Sequence, residues 1–266
     1  MSSAQFTWLG TAGFSIKTPD SHILVDPYLT RNTEAIPHQP LSPRELVDRL
    51  GPAQAIFVTH GHFDHIWDIP ALAALNPGAS IHCDAVPART LENLGVPAAR
   101  LQPVAADDPP IAIGDITARA RAGRHIKFDL PLVGSTLKRM GWGFYRHLHL
   151  FRNYPCGHVI AWRFNIQGKD ILFFGSAGAT DDELDALKRE PIHTLMLPLQ
   201  GHSMICDLAA RQVERLSPQR VIPHHMDDYH PPVSQTVDIN PFLNRLKQSC
   251  PEIEIQVPEF NTPMPL

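Results

Sequence analysis

The chain has 266 residues, enough for one large domain or two small ones, and its 43% hydrophobic and 19% charged residues are the ordinary mix of a globular protein with a sizeable core. A formal charge of −4 excludes the strongly basic balance of a general nucleic-acid binder. The cysteines Cys83, Cys156, Cys206 and Cys250 form no CxxC pair. With no signal peptide and no apolar run near the roughly 18 residues of a membrane-spanning helix, the expectation is a reduced, soluble, cytoplasmic protein.

In chain order, Phe6–Leu9, Gly13–Lys17 and His22–Asp26 are short, β-branched or aromatic runs separated by turn residues, and read as strands. Ser42-Pro43-Arg44-Glu45 reads as a helix start, with Ser42 as N-cap, Pro43 in the first turn and Glu45 closing a capping box; that helix ends near Gly51-Pro52. The apolar run Ala55–Val58 reads as a buried strand. Helices are expected at Ile69–Leu75 and Val86–Leu94, around a strand at Ser80–Cys83. Strands follow at Ile111–Ala122, His158–Ile166 and Asp170–Phe174. The last third alternates: helix Asp181–Arg189, strand Thr194–Leu197, helix Asp207–Leu216, strand Arg220–Pro223, helix Thr236–Gln248 and strand Glu252–Val257. Strands early, then strand–helix units, predict two sheets with helices packed outside them, and residues 1–266 read as one domain. The proline-rich stretches Ile36–Pro40 and Pro103–Pro110 read as surface loops.

Directly after Ala55–Val58 stands Thr59-His60-Gly61-His62-Phe63-Asp64-His65. On a loop leaving a strand, side chains at alternate positions converge, so His60 and His62 can grip one cation while Asp64 and His65 serve a second. Imidazoles with one carboxylate suit Zn²⁺, and also Mn²⁺ or Fe²⁺, better than Mg²⁺ or Ca²⁺.

Thr-His-x-His-x-Asp-His after a strand resembles the signature of the metallo-β-lactamase superfamily. Leu24-Val25-Asp26-Pro27 and Arg220-Val221-Ile222-Pro223-His224-His225 resemble the early turn and the late metal-bearing strand of that fold. The Val-Asp-Pro turn and Ile-Pro-x-His ending are most similar to the branch of ascorbate-6-phosphate lactonases and N-acyl phosphatidylethanolamine phospholipase D enzymes. The resemblance implies an α/β fold, a four-layer αββα sandwich, with one or two metals at one edge of the sheets. It assigns His60, His62 and His125 to one metal, and Asp64, His65 and His225 to the other, with His224 as the rival of His225. It implies hydrolysis of an ester, lactone, amide or phosphodiester by metal-bound hydroxide, with Asp64 orienting the attacking group and taking up its proton.

One position departs from the family. Where its members carry a bridging aspartate in a Gly-Asp motif, this chain has Gly175-Ser176-Ala177-Gly178. A hydroxyl binds a divalent cation more weakly than a carboxylate and does not neutralise it. Three readings follow: two metals bridged by hydroxide alone, a single metal, or a metal- or ligand-binding protein without turnover. Redox chemistry at a di-iron site is disfavoured by the absence of an attached flavin domain. Asp181 or Asp182 as substitute ligands read instead as the cap and first turn of the next helix.

His202, in Pro198-Leu199-Gln200-Gly201-His202-Ser203, is a candidate to hold a substrate anion, donate a proton to the leaving group or coordinate a metal. Finally, an insertion at about 126–157 falls in a stretch, Leu130–Lys169, that holds no Asp or Glu. Lys138, Arg139, Arg146 and Arg152 are interleaved there with Trp142, Phe144, Tyr145, Phe151 and Tyr154. That composition suits a small-molecule or lipid-like substrate with an anionic head, or peripheral contact with anionic lipid, and equally a solvated helix packed on its own aromatics. Nucleic acid fits less well, since the rest of the chain is acidic.

Overall fold

A computed structural model of the chain describes residues 4–31 and 42–266. The first sheet gathers β1 (Gln5–Gly10), β2 (Gly13–Lys17), β3 (His22–Val25), β4 (Ala55–Phe57), β5 (Ser80–Cys83) and β6 (Leu101–Pro103). The second gathers β7 (Ile111–Ile113), β8 (Ile116–Gly123), β9 (Val159–Ile166), β10 (Lys169–Phe173), β11 (Thr194–Pro198), β12 (Arg220–His224) and β13 (Glu254–Ile255). The last strand, β14 (Pro263–Pro265), returns to the first sheet. The strand orders are β14-β1-β2-β3-β4-β5-β6 and β13-β12-β11-β10-β9-β8-β7. In each sheet one half is antiparallel and the other parallel, the change of sense falling at β3 and at β10.

The period-2 geometry of a strand decides which side chain meets which layer. Phe57 of β4 and Trp162, Phe164 and Phe173 of the second sheet interdigitate between the sheets, while Ile56, Leu172 and Leu195 face outward. Helices cover the outer faces. On the first sheet they are α1 (Pro43–Leu50), α3 (Ile69–Leu75) and α4 (Ala85–Asn93), through Leu46, Leu72 and Leu91. On the second they are α7 (Asp181–Lys188), α8 (Ile205–Leu216) and α9 (Asn240–Ser249), through Leu184, Val213 and Phe242. The result is the expected αββα sandwich. Each wholly buried Phe or Leu side chain contributes about 1.5–3 kcal/mol to holding the layers together. The indole N–H of Trp162 keeps its hydrogen bond inside this core, donating to the Val58 carbonyl at 2.9 Å.

Local signals set several boundaries. Ser42 and Glu45 close their capping box, with Pro43 in the first turn. Thr180, rather than Asp181 or Asp182, caps α7, and its own capping box with Glu183 places both aspartates inside the helix. The helix expected from Thr236 starts only at Asn240, because Pro241 fixes the first turn and Val237 is spent in an extended bond to Met226. The run Ile111–Ala122 is a hairpin, broken where Gly114 takes a φ of +54°. The insertion folds as α5 (Leu130–Met140), a 3₁₀ segment (Gly141–His147) and α6 (Leu148–Asn153). The proline-rich stretch Ile36–Pro40 lies outside the described residues. Among the described residues no helix is long and apolar enough to cross a membrane.

Candidate functional site

Loops leaving the C-terminal ends of the parallel strands meet at one edge of the sandwich. β3 runs into Asp26, β4 into Thr59–His65, β10 into Gly175-Ser176 and β12 into His225, while His125 follows β8. α2 (Phe63–Ile66), a single turn the periodicity does not reveal, places Asp64 and His65 side by side after the extended His62. Gly175 is demanded by close approach, since a Cβ there would sit 1.9 Å from Thr59 Oγ1. Asp26 and His225 lie in the left-handed region, at φ +43° and +55°. Such strain in non-glycine residues persists only where the surroundings impose it. For His225 they do: its N–H donates to the Thr11 carbonyl at 2.8 Å, and Thr11 N–H is held by Asp227 at 3.0 Å.

The structure brings the six expected ligand residues together. Ring centroids of His125 lie 5.1 Å from His60 and 4.6 Å from His62, and those two are 4.8 Å apart. Beside them, Asp64 Oδ2 is 3.2 Å from His225 Nε2 and 3.8 Å from His65 Nε2. Two donors bound tetrahedrally to one zinc, at about 2.1 Å each, stand about 3.4 Å apart, so this triad has the spacing of a cation site. His224, the rival, is buried between the sheets, stacked on Phe173 with 5.0 Å between centroids and with no hydrogen bond to either ring nitrogen among the described residues.

Hydrogen bonds orient three of these imidazoles. Asp26 accepts Thr59 N–H at 2.7 Å, Thr59 Oγ1–H at 2.5 Å and His65 Nδ1–H at 2.8 Å. Since the only hydroxyl proton of Thr59 is spent on Asp26, the 3.0 Å contact between Thr59 Oγ1 and His60 Nδ1 requires the ring to donate. His125 Nδ1 donates to the Ile126 carbonyl at 2.7 Å. In the neutral form of each of the three rings the lone pair is therefore left on Nε2, the arrangement of a metal-binding histidine with an oriented outer nitrogen.

Electrostatics favour the neutral form of His60, His62 and His125. Burial, helped by the neighbouring histidines, holds His60 far below the usual imidazole range. Burial also lowers His62 to about 4 and depresses His125. Burial would raise Asp64, but His65, His225 and His62 outweigh it and keep the carboxylate ionised. For His65, burial is outweighed by Asp26 and Asp64, which raise it. Neutral His60, His62 and His125 beside the ionised Asp64 fit a borderline divalent cation, which at His65 would take the place of a proton.

Ser176 is buried beside these groups, and its Oγ accepts the Ile126 N–H at 3.0 Å. Asp181 lies elsewhere, paired with Arg215 at 3.1 Å. His202 Nδ1 accepts Met204 N–H at 3.0 Å, and the ring stands outside the cavity wall although its neighbours Gln200 and Gly201 belong to it. Above the histidines opens a cavity of about 330 Å³. The insertion roofs it with Leu132, Val133, Leu137, Phe144 and Phe151. Of the insertion's basic residues only Arg139 reaches the wall, and Trp142 is 93% exposed.

Some neighbours of the site were not legible as such. Tyr229 is buried against Asp64, and that burial and the adjacent carboxylate push its phenol well above the usual range. Cys156 lies with its Sγ and one nitrogen from each of His60 and His62 all within 4.8 Å of one another. Tyr229 carries no spacing signal beyond standing four residues after His225; Cys156 carries none.

Residues 21–226 match the family described as the beta-lactamase superfamily domain. A UPF0173 metal-dependent hydrolase of Aeropyrum pernix is 27% identical over 256 residues, covering 96% of this chain and 94% of that protein. One from Symbiobacterium thermophilum is 30% identical over 225 residues, covering 83% of each. Among solved structures, the metallo hydrolase Igni18 of Ignicoccus hospitalis superposes with a TM-score of 0.73 at 16% identity, covering 100% of this chain and 99% of that one. This last is a likeness of fold.

Proposed function

Because the chain belongs to the metallo-β-lactamase superfamily, where its relatives are metal-dependent hydrolases, we propose that it hydrolyses an ester, lactone, amide or phosphodiester carrying a substantial apolar group. The observation that carries this reading is the pairing of one cavity's two ends: six ligand-type residues at its floor, three of them with hydrogen-bonded outer nitrogens, and an apolar roof supplied by the insertion. One or two divalent cations, Zn²⁺ first, would be held by His60, His62 and His125 and by Asp64, His65 and His225. A cation so held lowers the pKa of a water molecule and polarises the scissile group.

The chain's own residues supply the rest. Asp64 orients the attacking water and takes up its proton, and Tyr229, kept protonated by burial, steadies that carboxylate. His202 accepts from Met204 at Nδ1, so its own proton sits on Nε2, where it can pass to a leaving group at the rim. Arg139, fixed to Gln235 at 2.7 Å, is the cation available to an anionic part of the substrate. The resemblance of the Val-Asp-Pro turn and the Ile-Pro-x-His ending to ascorbate-6-phosphate lactonases and N-acyl phosphatidylethanolamine phospholipase D enzymes supports a substrate that is small or lipid-like with an anionic portion.

The test is a panel of esters, lactones, amides and phosphodiesters of graded chain length, run with metal-loaded and chelated protein. Chelator-sensitive turnover that improves with chain length is expected, and turnover indifferent to chelation sinks the reading. The neutral Ser176 favours one other reading, a binding protein without turnover. Tight metal and apolar-ligand binding with no product across the panel would select it.

A further inference from the structure

Cys156 lies in the short segment that brings the chain from α6 back into β9, and this segment is clamped onto the ligand loop. Gly61 N–H, between His60 and His62, donates to the Cys156 carbonyl at 2.7 Å. A Cβ on Gly61 would meet the Pro155 carbonyl oxygen at 2.2 Å, so the sequence His-Gly-His admits this backbone where a side chain would exclude it. On either side the segment is anchored independently. Tyr154 stacks on Trp67 with 5.6 Å between centroids, His158 Nδ1 donates to Asp84 at 3.0 Å, and Ile160 N–H donates to the Thr59 carbonyl at 2.8 Å. The thiol is in no disulfide, and its Sγ with one nitrogen of His60 and one of His62 makes a compact soft donor group.

We propose that Cys156 is a further protein ligand of the cation held by His60 and His62, binding as a thiolate. The inference rests on the metal reading of the site. Its chemical logic follows from Ser176: a neutral hydroxyl stands where the family has a bridging carboxylate, which leaves Asp64 as the only anionic ligand among the six carried over from the family. A thiolate restores one negative charge and binds borderline-soft zinc or cobalt strongly. As the Sγ–metal bond forms, the S–H proton leaves to solvent.

Cobalt(II) reports thiolate ligation directly, through a sulfur-to-metal charge-transfer band in the near ultraviolet that nitrogen and oxygen donors do not produce. The full chain is loaded with cobalt, and its spectrum is normalised to bound cobalt and compared with those of Cys156→Ser and Cys206→Ser. The expected result is a band in the wild type and in Cys206→Ser, lost in Cys156→Ser. Bound cobalt without the band in the wild type overturns the ligand and leaves the metal centre standing. A band that survives in Cys156→Ser also overturns it. Failure of the wild type to bind cobalt overturns both readings.

Discussion

Asp26 Oδ2 and His65 Nδ1 are 2.8 Å apart, both wholly buried, though 39 positions separate them in the chain. The same carboxylate holds the hydroxyl of Thr59, which in turn receives His60 Nδ1. One group thus orients imidazoles assigned to both cations. Asp26→Asn removes its charge while keeping its shape. Metal affinity is expected to fall about 10–100-fold, the usual cost of losing a partner behind a ligand. Competition against a chromogenic chelator measures it, and an unchanged affinity would remove Asp26 from this role.

His62 offers the simplest test of the floor of the cavity. It takes part in no helix core, so His62→Ala should leave the fold intact by circular dichroism. Most bound metal and all chelator-sensitive turnover should disappear. Metal content by plasma emission that matches the wild type would show the assignment to be wrong.

Ser176 predicts stoichiometry. Without a bridging carboxylate, the wild type after dialysis in metal-free buffer should hold fewer than two equivalents. Ser176→Asp keeps an acceptor near Ile126 N–H and adds the missing charge, so occupancy should rise towards two. Two tightly held metals in the wild type would mean that another group already serves as the bridge.

The roof of the cavity predicts a split between affinity and stability. Leu137 and Phe151 are each about half exposed, at 50% and 49%, yet both line the cavity. Changing both to Ala should lower kcat/KM for the longest-chain substrate about 10-fold or more relative to the shortest, since each methylene held in a pocket counts. The melting temperature should move little. Trp142→Ala, outside the wall, should change neither. Equal losses for short and long chains would show that the insertion does not read the apolar group.

Acid stability has a predictable sign. Burial lowers His22 and His82 to about 4, against an ordinary value near 6.5. Between these values the unfolded chain binds protons that the folded chain refuses. Their contribution is therefore present above pH 6.5 and lost as pH falls through this window, by about 3 kcal/mol per group at pH 4. Urea unfolding of the metal-free protein from pH 7 to pH 4 should show that loss. It should be shallower in His22→Gln/His82→Gln, and an identical slope would refute the attribution.

Two sheets with helices outside them, and the convergence of His60, His62, Asp64 and His65, were legible in the sequence because both rest on local chemistry. The short, unbroken apolar run Ala55–Val58 marks a buried strand, and His60, His62, Asp64 and His65 stand close enough along the chain for spacing to say that they converge. The family pattern added His125 and His225, and made Ser176 conspicuous. Contacts between distant segments left no such trace. Nothing near Asp26 announces that its carboxylate will meet Thr59 and His65, because that meeting depends on the parallel pairing of β3 with β4. Neither does the sequence near Cys156 show that its segment will lie across Gly61. In the insertion the basic residues were as prominent as the aromatic ones, yet packing turned the apolar face of α5 and α6 to the cavity and most of the charges to water. A side chain's type is written in the sequence, but the direction in which it faces is set by the layer on which its element comes to rest.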